Sequence, residues 1–126
     1  MLMGTSREHA RLAEENLNGA KEEYRSNRYS NVGLLALRSL EQMVEACAAV
    51  ENLHFHQHPR TAHHNRRRWL RSHHADLIKA WDRLWSTYGA LGYGGVNGKR
   101  AEQALKILDE IFRELRMREK VELGRR

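Results

Sequence analysis

The sequence predicts an all-α protein, an antiparallel up-and-down bundle of four helices in one domain spanning residues 1–126. Three observations predict it. Apolar residues recur at spacings of three and four along most of the chain, and no stretch shows the strict apolar–polar alternation of a half-buried strand. Pro59 is the only proline, and five of the nine glycines crowd into residues 89–98, so the interruptions are few and localised. The charged residues, 30% of the chain, fall mostly off the apolar stripes, where solvated helix faces need them.

The first helix is predicted over about 6–26. Thr5 followed by Glu8 has the spacing of a capping box. Ala10, Ala13, Leu17, Ala20 and Tyr24 form one apolar stripe, with Glu14, Glu15, Lys21, Glu22 and Glu23 off it. Ser26-Asn27-Arg28 reads as a short break and Ser30 as the next N-cap. The second helix, about 31–53, is the most apolar, with Val32, Leu34, Leu37, Leu40, Met43, Val44, Cys47 and Val50 among its residues. More than half its circumference is apolar, so it is either the central helix or one that also meets another subunit. Pro59 and the polar His56-Gln57-His58 then interrupt regular structure. The third helix is expected to begin between Ala62 and Arg67 and to cover about 65–88, with Leu70, Leu77, Ile78, Trp81, Leu84, Trp85 and Tyr88 inward and Trp69 at the edge. Residues 89–98 read as a glycine-rich loop. The last helix, about 99–123, turns Ala101, Ala104, Leu105, Leu108, Ile111, Phe112 and Leu115 inward, and its charged end beyond Met117 is expected to fray.

A chain of 126 residues can bury a sufficient core without staples. Its one cysteine, Cys47, excludes an internal disulfide and fits a reducing compartment. No apolar run reaches the roughly 20 residues of a membrane span. Met1-Leu2-Met3-Gly4 is too short an apolar start for a signal peptide. The expected location is the cytoplasm.

The functional argument starts from charge. Seven of the eight histidines lie between His54 and His74, together with Arg60, Arg66, Arg67, Arg68 and Arg71, and residues 52–75 contain no acid. The net charge is +6, and those five arginines carry nearly all of it. A local basic block points to a polyanion or an acidic partner surface. Arg66, Arg67, Arg68, Arg71, His73 and His74 are the candidate anion-binding residues. A helix starting near Asn65 would add its N-terminal amides to the guanidinium forks. Trp69 and Phe55 are candidate stacking surfaces for bases.

Imidazole is also the commonest metal ligand near neutral pH. If the second helix continued through His58, His54 and His58 would lie one turn apart, with His63 or His64 as a third donor. The crowd of arginines and the missing acids argue against a cation there, and no metal or other cofactor is expected. Gly94-Gly95-Val96-Asn97-Gly98-Lys99-Arg100 departs from a phosphate loop at Tyr93 and Arg100, and no strand precedes it. It reads as a hinge. Cys47 lies in the apolar middle of its helix and reads as an inert core thiol.

The order of features resembles the HEPN domain family of small all-helical proteins. The resemblance lies in Ala10 to Ala20 closed by Tyr24, in Tyr29-x-x-Val32 with Leu37-x-x-Leu40-Glu41-x-x-Val44, in Leu77 to Tyr88, and in Ala101-x-x-Ala104-Leu105-x-x-Leu108. It implies a helical bundle that dimerises and either cleaves RNA or binds a nucleotidyltransferase-type partner. Active members carry an arginine followed, after four to six residues, by histidine. Arg68 and His73 match that spacing here, as do Arg66–His73 and Arg67–His74. The family's motif belongs near the last helix, where this chain keeps Arg100 and has no histidine. The resemblance thus implies, for an active enzyme, metal-independent RNA cleavage with His73 as base and Arg68 or Arg66 stabilising the transition state. The resulting expectation is a homodimeric module that binds RNA or a partner protein through residues 54–74. A toxin-type ribonuclease is the alternative, and a histidine-cluster metal protein the second.

Overall fold

The computed structural model describes residues 4–93, 98–119 and 121. They form five α-helices and two short 3-10 turns, with no strand among the described residues. The all-α class is as predicted; the helix count is not.

Helix α1 runs Ser6–Arg25. Its capping box is formed: Glu8 N donates to Thr5 Oγ1 at 3.1 Å and Thr5 N donates to Glu8 Oε1 at 3.0 Å. This satisfies two amides that a helix start leaves without partners. Asn27, at φ +60°, ends the helix, a conformation asparagine tolerates better than most residues.

Helix α2 runs Tyr29–Ala49, beginning and ending earlier than its apolar pattern suggested. Arg28, not Ser30, is the N-cap, and it offers no side-chain cap. At the other end Asn52 adopts φ +62°, and Leu53 N donates back to Ala48 O at 3.1 Å. The chain therefore leaves helical geometry before His54, and the expected His54–His58 pair on one helix face does not form. As expected of the central helix, α2 packs against α1, α3, α4 and α5. Leu40, Met43, Val44 and Cys47 are fully buried, while Leu34 and Val50 face outward.

After a 3-10 turn at Phe55–Gln57, helix α3 spans Pro59–His73. Pro59 ends what precedes it but also begins the next helix, because its fixed φ and missing N–H suit a first helical position. Asn65 is thus interior to α3, and so are Arg66, Arg67 and Arg68. The predicted pairing of arginine forks with helix N-terminal amides is overturned.

The long third helix expected over 65–88 is in fact two. His74 takes an extended conformation (φ −145°, ψ 66°), a 3-10 turn covers Ala75–Leu77, and α4 runs Ile78–Tyr93. Leu70 and Leu77 are seven residues apart, almost two helical turns, so the apolar pattern passes over the break unchanged. What fixes the corner is polar. The Arg118 guanidinium donates to both Asp76 carboxylate oxygens at 2.8 and 2.7 Å, and His74 Nε2 lies 2.6 Å from Glu119 Oε2.

Gly89 and Gly92 are helical rather than looped. A glycine costs a helix about 1 kcal/mol relative to alanine, too little to end one already several turns long. The rest of the predicted glycine loop, residues 94–97, lies outside the described residues. Helix α5 spans Gly98–Glu119. It does not fray at Met117, because Arg118 bridges Glu114 and Asp76; its predicted continuation to 123 lies mostly outside the described residues.

One apolar cluster joins all five helices, with Trp81, Leu70, Leu84, Leu108, Ile111 and Leu115 fully buried. Burying a side chain of this size contributes about 1.5–3 kcal/mol. Trp69, expected at the edge, is buried as well. Among the described residues, no helix is long and apolar enough to cross a membrane.

Candidate metal centre

Three histidines converge beside the start of α1. His9 is the first buried residue of that helix, while His54 and His56 stand on the connection between α2 and α3. One ring nitrogen from each lies within 4.8 Å of the others. The rings meet edge to face: His9 and His56 have centroids 4.8 Å apart at 61°, His54 and His56 5.9 Å apart at 79°.

The hydrogen bonds select which nitrogens point inward. His9 Nδ1 lies 2.7 Å from Gln42 Oε1. An amide oxygen only accepts, so Nδ1 carries the proton and Nε2 keeps its lone pair. His54 Nε2 lies 3.0 Å from Asn52 Oδ1, which by the same logic leaves the lone pair on Nδ1. His9 Nε2, His54 Nδ1 and His56 Nε2 are all buried and without a hydrogen-bond partner. A buried polar atom left unpaired costs about 1–3 kcal/mol, and three in one histidine group call for a shared partner. Burial holds the His56 imidazole below its ordinary value, so it is neutral at pH 7, as a ligand must be.

Gly4 sets the shape of the space between them. A Cβ there would stand 2.5 Å from His56 Nε2 and 2.7 Å from His9 Nε2. Gly4 also has φ +76°, a conformation open to glycine at little cost. The bare Cα leaves a cradle facing two donors. A tetrahedral ion at about 2.0–2.1 Å from imidazole nitrogens needs them about 3.3 Å apart.

The charge balance also differs from the sequence expectation. The acids missing from 52–75 are supplied by α2. Arg66 Nε donates to Glu45 Oε2 at 2.7 Å and Nη1 to Glu41 Oε2 at 3.3 Å, with Glu45 fully buried. The triad carries one net negative charge when both acids are ionised, which offsets the positive charge of Arg66.

The other predicted residues separate. His58 is an exposed cap between the 3-10 turn and α3, and is not in the histidine group. His63 lies over Trp81 and Trp85, with ring centroids 5.8 and 4.3 Å away. Arg67 pairs with Asp82 through two bonds of 3.0 and 2.8 Å. His73 stacks on Trp69 at 4.4 Å and 18°, and its Nε2 is 3.4 Å from Glu51. His74 is committed to Glu119. Arg68 and His73 are five helical positions apart, roughly 140° around the axis, and nothing joins them among the described residues. Of the predicted anion-binding set, Arg68 and Arg71 are the arginines exposed and without a carboxylate partner among the described residues. Comparison of the chain with protein-family models, curated proteins and solved structures gives no match.

Proposed function

We propose that this chain is a metal-binding helical protein that holds one divalent transition ion with His9 Nε2, His54 Nδ1 and His56 Nε2. The carrying observation is the convergence of three histidines, each offering a ring nitrogen within 4.8 Å of the others and each holding one buried, partnerless ring nitrogen. Three imidazoles suit Zn²⁺, Co²⁺, Ni²⁺ or Cu²⁺ rather than Ca²⁺ or Mg²⁺, which prefer oxygen. The outer hydrogen bonds from Gln42 and Asn52 do what such bonds do in metal sites, fixing tautomer and ring orientation. Calorimetric titration of the metal-stripped protein with zinc is the test. One equivalent is expected to bind, with stoichiometric binding lost in His9→Ala and retained in His58→Ala and His63→Ala. Equal loss in all three, or no loss in His9→Ala, would sink the assignment.

A second reading keeps the HEPN-like expectation: a dimerising bundle of α1, α2, α4 and α5, with α3 as an added arm that binds RNA or a protein partner in the cytoplasm. It is supported by Arg60, His64, Arg68 and Arg71, which share one exposed stripe of α3. Under this reading Arg68→Glu with Arg71→Glu weakens RNA binding and flattens its dependence on salt. Arg67→Ala leaves both nearly unchanged. An RNA that neither shifts nor is cut at low salt contradicts it.

A further inference from the structure

The three histidines stand on unequal supports. His9 belongs to α1, whose first turns are tied to α2 by side-chain bonds: Ser6 Oγ donates to Ala46 O at 2.8 Å, and His9 Nδ1 donates to Gln42 Oε1 at 2.7 Å. His54 and His56 stand on a segment without such ties. Among the described residues, every hydrogen bond made by residues 52–62 reaches a partner no more than five positions away, the longest running from Leu53 N to Ala48 O. What holds this segment to the rest of the fold is Phe55, partly buried against the core, and Ala62, which is buried. The contrast continues within α3. Its second half is anchored by Arg66 to Glu41 and Glu45, by Arg67 to Asp82, and by the buried Trp69, whose Nε1 donates to Glu51 Oε1 at 3.3 Å. Its first two turns, residues 59–65, bury Ala62 alone and lay the exposed His63 over Trp81 and Trp85, and His58 gives them no side-chain cap. Two helical turns do not hold themselves in water, so they need a tie.

Resting on the metal reading, we propose that the ion is that tie. By joining His54 and His56 to His9 it fixes the α2–α3 connection on α1, and its occupancy switches the connection and the first two turns of α3 between a held and a loose state. The donors sit on separate elements, so the segment cannot swing away from α1 while all three hold the ion. Free ion therefore suppresses that opening by mass action. Arg60 and His64 lie on those turns, and both are exposed. The ion thus decides whether they stand in line with Arg68 and Arg71 on the exposed stripe of α3, which makes the basic face responsive to a divalent transition ion.

Native-state proteolysis of the full chain with trypsin tests it. Arg60 offers a cleavage site within the segment, and Arg28 offers one between α1 and α2. Cleavage follows the population of the opened state when opening and closing are fast. With free zinc held at about ten times its dissociation constant, cleavage after Arg60 is expected to slow about tenfold, and cleavage after Arg28 to stay within about twofold. His54→Ala removes a donor and no core side chain, and is expected to be cut after Arg60 at one rate with and without zinc. His58→Ala is expected to keep the slowing. Calorimetry on the same samples reports whether zinc is bound. Bound zinc with unchanged cleavage after Arg60 overturns the switch while the metal reading stands. Equal slowing after Arg60 and Arg28 means that zinc opposes unfolding of the whole chain, and this too overturns the switch. Slowing that persists in His54→Ala overturns the role of the connection. Zinc that fails to bind, or binds unchanged in His9→Ala, removes the metal reading itself.

Discussion

Gly4→Ala is expected to lower zinc affinity by at least about 100-fold, the upper end of what loss of a supporting group does to a metal site. The substitution touches no ligand. Its methyl carbon would stand 2.5 Å from His56 Nε2 and 2.7 Å from His9 Nε2, in the space the ion needs. Those distances are too short for carbon against nitrogen, so either the rings turn away or the backbone at residue 4 shifts. Alanine at φ +76° adds strain of about 1–2 kcal/mol, which favours the backbone shift. Either response disperses the donors. Helical content is expected to be unchanged, since Gly4 precedes Thr5, the N-cap of α1, and contributes no core side chain. Zinc calorimetry paired with far-ultraviolet circular dichroism checks it. Wild-type affinity in a folded Gly4→Ala protein would mean that the ion, if any, lies elsewhere.

Arg66→Ala is expected to destabilise the protein by about 3–5 kcal/mol, as removing one partner from a buried charge network does. The side chain is 12% exposed, and its departure leaves Glu45 at 0% and Glu41 at 19% exposure without the guanidinium that pairs with both. Burial already raises the Glu41 carboxyl above its ordinary value even with Arg66 present. Without Arg66 the Glu41 carboxyl loses the guanidinium that opposes its burial, is raised further, and takes up a proton more readily in the folded state than in the unfolded one. The variant's deficit should therefore shrink as pH falls through that raised value and grow as pH rises above it. Arg67→Ala is the contrast. Its pair with Asp82 is exposed at 35% and 52%, and the expected cost is under about 1 kcal/mol. Urea unfolding at pH 5 and pH 7 measures both. Equal, small costs would place Arg66 in solvent with the other arginines.

The helices were legible in the sequence wherever one signal decided them. Thr5 and Glu8 set the start of α1, and the stripe of Ala10, Ala13 and Leu17 set its buried face. The break at His74 was hidden because Leu70 and Leu77 keep the same phase in a straight helix as across the corner. Asn52 ends α2 through a backbone conformation that apolar spacing does not report.

The site was legible in part. The histidine block drew attention to His54, but His9 is 45 residues away in the sequence and completes the group only through the packing of α1 on α2. A signal was present in retrospect: His9 stands four residues before Ala13 on the apolar side of α1, where a histidine needs a partner. Glu45 carried a similar signal, a carboxylate between Val44 and Ala46 in the most buried run of the chain. The arginines misled for a physical reason. Formal charge was counted along the sequence, and three-dimensional pairing cancels Arg66 and Arg67 with acids from α2 and α4.

The most direct test of the metal centre is anomalous diffraction at the zinc absorption edge, from crystals of the full chain grown with one equivalent of zinc. A single strong peak is predicted in front of Gly4, within about 2.0–2.1 Å of His9 Nε2, His54 Nδ1 and His56 Nε2. A peak at His58, His63 or the His73–His74 corner, or no peak on the chain, would contradict it.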